Sequence, residues 1–238
     1  MTTPIQHLLA AGFLASALAC GVAAPGFAQA PPTYDVALAH YNLGDFTGAR
    51  AGFDTLAKSG DPRAQYILGL MSLEGKGGPR DEAAALGWLR KSADQGNISA
   101  MFDLALMYDQ GEGIAEDNTE AVRWYRLAAE RGNANSQFNL GQHYMDGDGV
   151  AADVPTAIGW WRKAADQGSA QAQFNLGVAY ANGLGVVADR VEAYKWLLLS
   201  AAAGNKNAAG AVPTIKAAIT TEQATQGEAK AAQWKPAQ

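Results

Sequence analysis

Asp146-Gly147-Asp148-Gly149 alternates carboxylates with glycines, as does the start of a calcium loop, where oxygens at alternating positions and a bidentate Glu at the twelfth surround the ion. Here the fifth and sixth positions are Val150 and Ala151, and Ala157 stands at the twelfth. The ligand set stops at two carboxylates, so no metal is expected. The histidines are His7, His40 and His143, and Cys20 is the only cysteine. Neither His40 nor His143 has a second His or a Cys at metal-ligand spacing. The chain also lacks a Gly-x-Ser-x-Gly elbow and a phosphate loop ending in Lys-Ser or Lys-Thr. No catalytic residue and no cofactor site is expected, which leaves recognition as the chemistry to look for.

The elements that would present a recognition surface are set by a strict period. Gly60, Gly96, Gly132, Gly168 and Gly204 follow one another at 36 residues, as do Trp88, Trp124, Trp160 and Trp196, and Gly75, Gly111, Gly147 and Gly183. A period of this length means stacked units, each burying its apolar face against its neighbours. Residues 134–169 show the plan. Leu140 and Tyr144 lie four apart on a first helix, Gly147 and Gly149 supply the turn, and Asp153 caps a second helix with Pro155 in its first turn. Trp160, Trp161, Ala164 and Ala165 then form one buried stripe, and Gly168 ends the helix.

Small residues in register predict close helix approach. The first helix carries Ala64, Ala100, Ser136 and Ala172, then Gly69, Ala105, Gly141 and Gly177; the second carries Ala93, Ala129, Ala165 and Ala201. The Trp series and Tyr108, Tyr144 and Tyr180 are expected to fill the space left as core.

Gln-Phe-Asn-Leu-Gly at 137–141 and 173–177, Gly-x-Gly-Val at 147–150 and 183–186, the aspartates Asp81, Asp117, Asp153 and Asp189, and Trp-x-x-Lys-Ala-Ala-x-x-Gly at 160–168 resemble Sel-one-like repeats. These are relatives of the tetratricopeptide repeat with a longer loop between the two helices. The resemblance implies an all-α, right-handed α-solenoid of 36-residue helix–turn–helix units. The expected copies are 61–97, 98–133, 134–169 and 170–208. The first departs from the rest, with Gly75-Lys76-Gly77-Gly78-Pro79 and Ser72 in place of Tyr, so a looser loop is expected there. Residues 29–60 resemble a tetratricopeptide-like capping unit. Residues 209–238 are expected to hold a capping helix from about Thr221 to Gln233, with Trp234 against the last repeat and disorder beyond Lys235.

Residues 1–28 are read as a signal peptide. Leu8 to Ala24 is apolar and uncharged, and cleavage after Ala28 leaves Gln29 first. The expected location is therefore periplasmic or secreted, with no membrane insertion of the mature chain. The second reading is a lipoprotein retaining Cys20, whose Ala17-Leu18-Ala19-Cys20 setting places the leucine one residue too near the cysteine. The formal net charge is −5 and Lys and Arg form no run, which argues against nucleic acid as a partner.

In tetratricopeptide-like stacks the first helices line a concave face, and the resemblance implies the same here. The strip left over from core packing carries Glu74, Asp103, Gln110, Asn139, Gln142, Asp146, Asn175 and Asn182. Its mixed polarity suits an extended or helical peptide segment of a protein partner. The expected function is a non-catalytic interaction scaffold or adaptor, with regulation as one role it could serve, and the alternative is a cell-wall-related hydrolase or a binder of a small β-lactam-like molecule.

Overall fold

The computed structural model describes residues 32–237. The expected signal peptide, its cleavage site and Cys20 lie outside the described residues. The described residues form twelve helices and no strand. A cap of α1 (Tyr34–Asn42) and α2 (Phe46–Lys58) precedes four pairs: α3 (Pro62–Glu74) with α4 (Glu82–Asp94), α5 (Ile98–Gln110) with α6 (Asn118–Glu130), α7 (Ala134–Asp146) with α8 (Val154–Asp166), and α9 (Ala170–Asn182) with α10 (Arg190–Ala202). Two further helices, α11 (Lys206–Ala217) and α12 (Thr221–Gln233), close the stack. None of the described helices is long and apolar enough to cross a membrane.

Each boundary has a local cause. The first helices are capped by the side chains of Asp61, Asn97, Asn133, Ser169 and Asn205, each accepting a backbone N–H of the first turn. The second helices are capped in the same way by Asp81, Asp117, Asp153 and Asp189. Gly75, Gly111, Gly147 and Gly183 end the first helices in the left-handed conformation, at φ 68, 66, 79 and 69°. The loop then returns: the N–H groups of Asp81, Asp117, Asp153 and Asp189 donate to the carbonyls of Ser72, Tyr108, Tyr144 and Tyr180.

Inside a pair, contact distance follows residue size. A Cβ added to Gly69, Gly141 or Gly177 would come within 2.9 Å of Leu89, 2.5 Å of Trp161 or 2.7 Å of Leu197. The expected small positions are buried, with Ala201 only half-buried. Between repeats the packing is made by the second loop glycine. Gly77, Gly113, Gly149 and Gly185 have φ near +70° and rest on Phe46, Glu82, Asn118 and Val154 of the preceding unit. Those four residues are each the first of a second helix, so every extended loop sits on the repeat before it.

A second ladder joins the second helix of one repeat to the first helix of the next. Arg90 donates to the Tyr108 hydroxyl, Arg126 to Tyr144 at 2.9 Å, and Arg162 to Tyr180. In the departing first loop Arg50 of α2 substitutes for this arrangement, donating to the Ser72 hydroxyl at 3.2 Å and the Lys76 carbonyl at 3.4 Å, while Lys76 reaches the Tyr41 hydroxyl at 2.9 Å. The loop expected to be loose is tied to the cap instead.

Two other expectations change. Trp124 and Trp196 are buried, but Trp88 and Trp160 are half-buried; their outer faces carry Lys91 at 4.3 Å and Lys163 at 3.9 Å from the ring centres. At the C-terminal end, α11 starts at Lys206 behind the cap Asn205, in register with the first helices and inside the span expected for the fourth repeat. Helix α12 does have the expected bounds and a capping box between Thr220 and Gln223. It packs on α10 through Gly227 against Tyr194, and Lys230 pairs with Glu192 at 2.5 Å. Trp234 lies, as expected, against the last repeat, on a cluster the fourth repeat shares with the third, and reaches Gly168; the Ala237 N–H donates to the Asp166 carbonyl at 2.7 Å, so the chain at Ala237 is held rather than free.

Candidate functional site

Three of the expected partner-binding residues come together. Asn139, Gln142 and Asp146 project from α7 and, with Asp109 of α5 and Asp148 of the following loop, line a cleft of about 150 Å³ that has His143 at its base. Gln142 donates to the Asp146 carboxylate at 2.7 Å, which orients both side chains at the rim. Glu74 and Gln110 are exposed at the ends of α3 and α5, and Asn175 is half-buried on α9. Asn182 lines a separate, largely apolar cleft of about 350 Å³ with Val178, Arg190, Leu197 and Ile215.

Asp103 does not belong to an open surface. It is 8% exposed, and its Oδ2 has no hydrogen-bond partner in the protein. Tyr66 of the neighbouring first helix covers it. Burial pushes the Asp103 carboxyl up to about 6, against a smaller downward pull from the Tyr66 hydroxyl. Burial, then the charge of Asp103, raises the Tyr66 phenol in turn.

The base of the cleft is a polar cluster that the sequence reading did not single out. His143 is 7% exposed, and its ring is enclosed by three elements. Nε2 lies 3.2 Å from Asp109 Oδ1 on α5, Nδ1 lies 3.0 Å from the Asp148 carbonyl in the loop, and the ring centre is 5.5 Å from that of Tyr125 on α6. The Tyr125 hydroxyl donates to Asp109 Oδ2 at 3.1 Å. Burial by itself lowers the imidazole's pKa, but Asp109 and then the Asp148 carbonyl raise it further, and the net shift is upward. Asp109 moves the other way, held below the usual carboxylate range chiefly by its hydrogen bond to His143.

The signal was present in the register. Where this repeat has His143, the others have Met71, Met107 and Ala179; where the second has Asp109, the others have Leu73, Met145 and Ala181. Polar residues at two positions that are otherwise apolar mark the junction of the second and third repeats. Both nitrogens of His143 are engaged, so the cluster offers no free base. Among the described residues no three His, Cys, Asp or Glu side chains converge to hold a metal ion.

A stack of helix pairs joined by extended glycine loops, with a polar cleft on its first helices, defines a helical-repeat solenoid. The model of the family described as Sel1 repeat matches residues 62–97, 98–133, 134–169 and 170–205, and the chain belongs to that family. It is similar to a Sel1 repeat protein from Oxalobacter formigenes, with 27% identity and a TM-score of 0.74 over 85% of this chain and 86% of that one. It is also similar to c5321, a protective antigen present in uropathogenic Escherichia coli strains and displaying the same fold, with 31% identity and a TM-score of 0.56. That match covers 84% of this chain but 52% of c5321. No curated protein sequence matches the chain. The fold is a protein–protein interaction scaffold type, and proteins built on it are generally non-catalytic.

Proposed function

We propose that this chain is a non-catalytic adaptor, periplasmic or secreted in a bacterium, that binds a peptide segment of another protein along the face of its first helices. The observation that carries the reading is the cleft between the second and third repeats. There Asn139, Gln142 and Asp146 present amide and carboxylate groups at positions that differ from one repeat to the next. Amides can pair with the backbone of an extended segment, and the carboxylates of Asp146 and Asp148 favour a basic side chain in it. The apolar stretch Leu8 to Ala24 supports export.

The test is affinity capture by the tagged chain from envelope extracts of its source, with N139A/Q142A/D146A as the control. The reading expects one protein recovered in near-stoichiometric amount by the unmodified chain and reduced at least about tenfold by the triple variant, a loss of about 1.4 kcal/mol. Equal recovery by both would discard the cleft. If neither recovered a protein while remaining folded, cell-wall fragments and β-lactam-like molecules would be the next ligands to screen.

A further inference from the structure

Helix α5 is joined to its neighbours by two ionisable contacts that no other repeat has. On one side Asp103 is buried under Tyr66 of α3, whose hydroxyl also meets Ser99, and Tyr125 of α6 feels its charge. On the other side Asp109 faces His143 of α7. The groups around His143 are the Asp109 carboxylate of α5, the Tyr125 hydroxyl and ring of α6, and Asp148 of the loop, with exposed Asp146 on its own helix.

The geometry of His143 requires a particular protonation state. Its two nitrogens face a carboxylate oxygen and a carbonyl oxygen, and both of these only accept. A neutral imidazole has one N–H and leaves one contact unmade; the imidazolium makes both. Asp103 has the same preference for another reason. Its Oδ2 is buried without a partner, so burial penalises the ionised form more than the protonated one, and this outweighs the Tyr66 hydroxyl, which favours the ionised form.

We propose that the second repeat is a pH-sensitive joint, in which α5 is clasped to both neighbours in acidic solution and released in order as the pH rises, first from α3 at Asp103 and then from α7 at His143. The two contacts act in the same sense. His143 has a folded-state pKa raised above its ordinary 6.5, so its contribution is complete below 6.5 and is lost as the pH climbs through the raised value. Asp103 is raised from 3.8 to about 6, so its contribution is likewise lost with rising pH, between those values. The loop that carries Asp148 forms one wall of the cleft, so loosening the joint changes the shape of that cleft. The proposal concerns the joint itself and is read on the free chain, without a partner.

The experiment is amide hydrogen exchange with mass spectrometry on the whole chain between about pH 4 and pH 8.5, with rates corrected for intrinsic exchange, for the wild type and H143M/D103N. Methionine is the residue that two other repeats carry at position 143. The proposal expects wild-type protection in α5 and residues 147–153 to fall with pH, by no more than about tenfold per pH unit for each proton released, and to stay level in the double variant. A level wild-type profile, or equal slopes in the two proteins, would overturn it. If the double variant does not fold, the titration of the His143 ring in the wild type decides by NMR. A midpoint above 6.5, accompanied by shifts in the 147–153 amides, supports the joint, and a midpoint at or below 6.5 rejects it.

Discussion

Gly149 rests directly on the carbonyl of Asn118, so closely that a Cβ at Gly149 would overlap that oxygen. The two residues belong to consecutive repeats, and their contact is repeated at Gly77 on Phe46, Gly113 on Glu82 and Gly185 on Val154. It makes the glycine of the extended loop an inter-repeat residue rather than only a turn residue.

Substituting it should therefore cost more than substituting a glycine that merely turns the chain. Gly149→Ala meets both a φ of +67° and the backbone of α6, whereas Gly132→Ala meets a φ of +90° with nothing within 4 Å. Gly132→Ala is expected to lose about 1 kcal/mol from conformational strain. Gly149→Ala is expected to lose about 3 kcal/mol, with overpacking added. Urea unfolding followed by circular dichroism measures the difference, and equal losses would mean the loop gives way without resistance.

An unfilled position in a glutamine ladder predicts a gain. Gln95 donates to Gln65 Oε1 at 2.7 Å and Gln167 to Gln137 Oε1 at 2.8 Å, while Gln65, Gln137 and Gln173 donate to the carbonyls of Ala57, Ala129 and Ala165. Gln173 is followed 30 residues later by Ala203, and its buried Oε1 has no partner. Ala203 has φ −80° and ψ 7°, close to Gln167 at −86° and 1°. Ala203→Gln should stabilise the fourth repeat by about 1 kcal/mol, seen as a higher urea midpoint than the wild type.

Trp234 fastens α12, whose only buried residues are Ala224 and Gly227. A helix with so little apolar contact depends on its anchor. Trp234→Ala is expected to cost about 1–2 kcal/mol, less than a fully buried tryptophan. It should also raise amide exchange in residues 221–233 while leaving α5 to α8 protected.

Asp109 gives the acid side of the pH profile. Its carboxyl is held below its ordinary 3.8 by His143 and Tyr125, so its contribution is present above 3.8 and is lost as the pH falls through the lowered value. Asp109→Asn should be less stable than the wild type near pH 6, and the gap should narrow as both are taken progressively below pH 3.8. Thermal unfolding across that range measures it, and a constant gap would assign the loss to packing instead of charge.

The helix pairs were legible because their causes are local. A glycine forced to positive φ, an aspartate at a helix start and small residues three and four apart each act within a few residues and recur four times. What was not legible depends on how one repeat rotates against the next, which the period leaves open. Asp103 falls on the outward strip of α5 by helical position, yet Tyr66 of the adjacent repeat lies over it. Asp109 and His143 are 34 residues apart, close to one period, and meet only because α5 and α7 lie side by side. Their departure from methionine, leucine and alanine at equivalent positions could have been read as a warning of a polar core. The return of Trp234 to Gly168 had no comparable signal, since α12 breaks the register that placed everything before it.

The seating of each loop on the unit before it also gives the array an order of construction. Phe46, Glu82, Asn118 and Val154 are all translated before the glycines that rest on them. A chain emerging N-terminus first always has the platform in place when the next loop arrives. Shortening from the C-terminal end would leave every remaining loop seated. Removing α1 and α2 would strip the platform from Gly77 and leave the first repeat open at its leading side, whereas synthesis from the N-terminus can proceed one finished unit at a time.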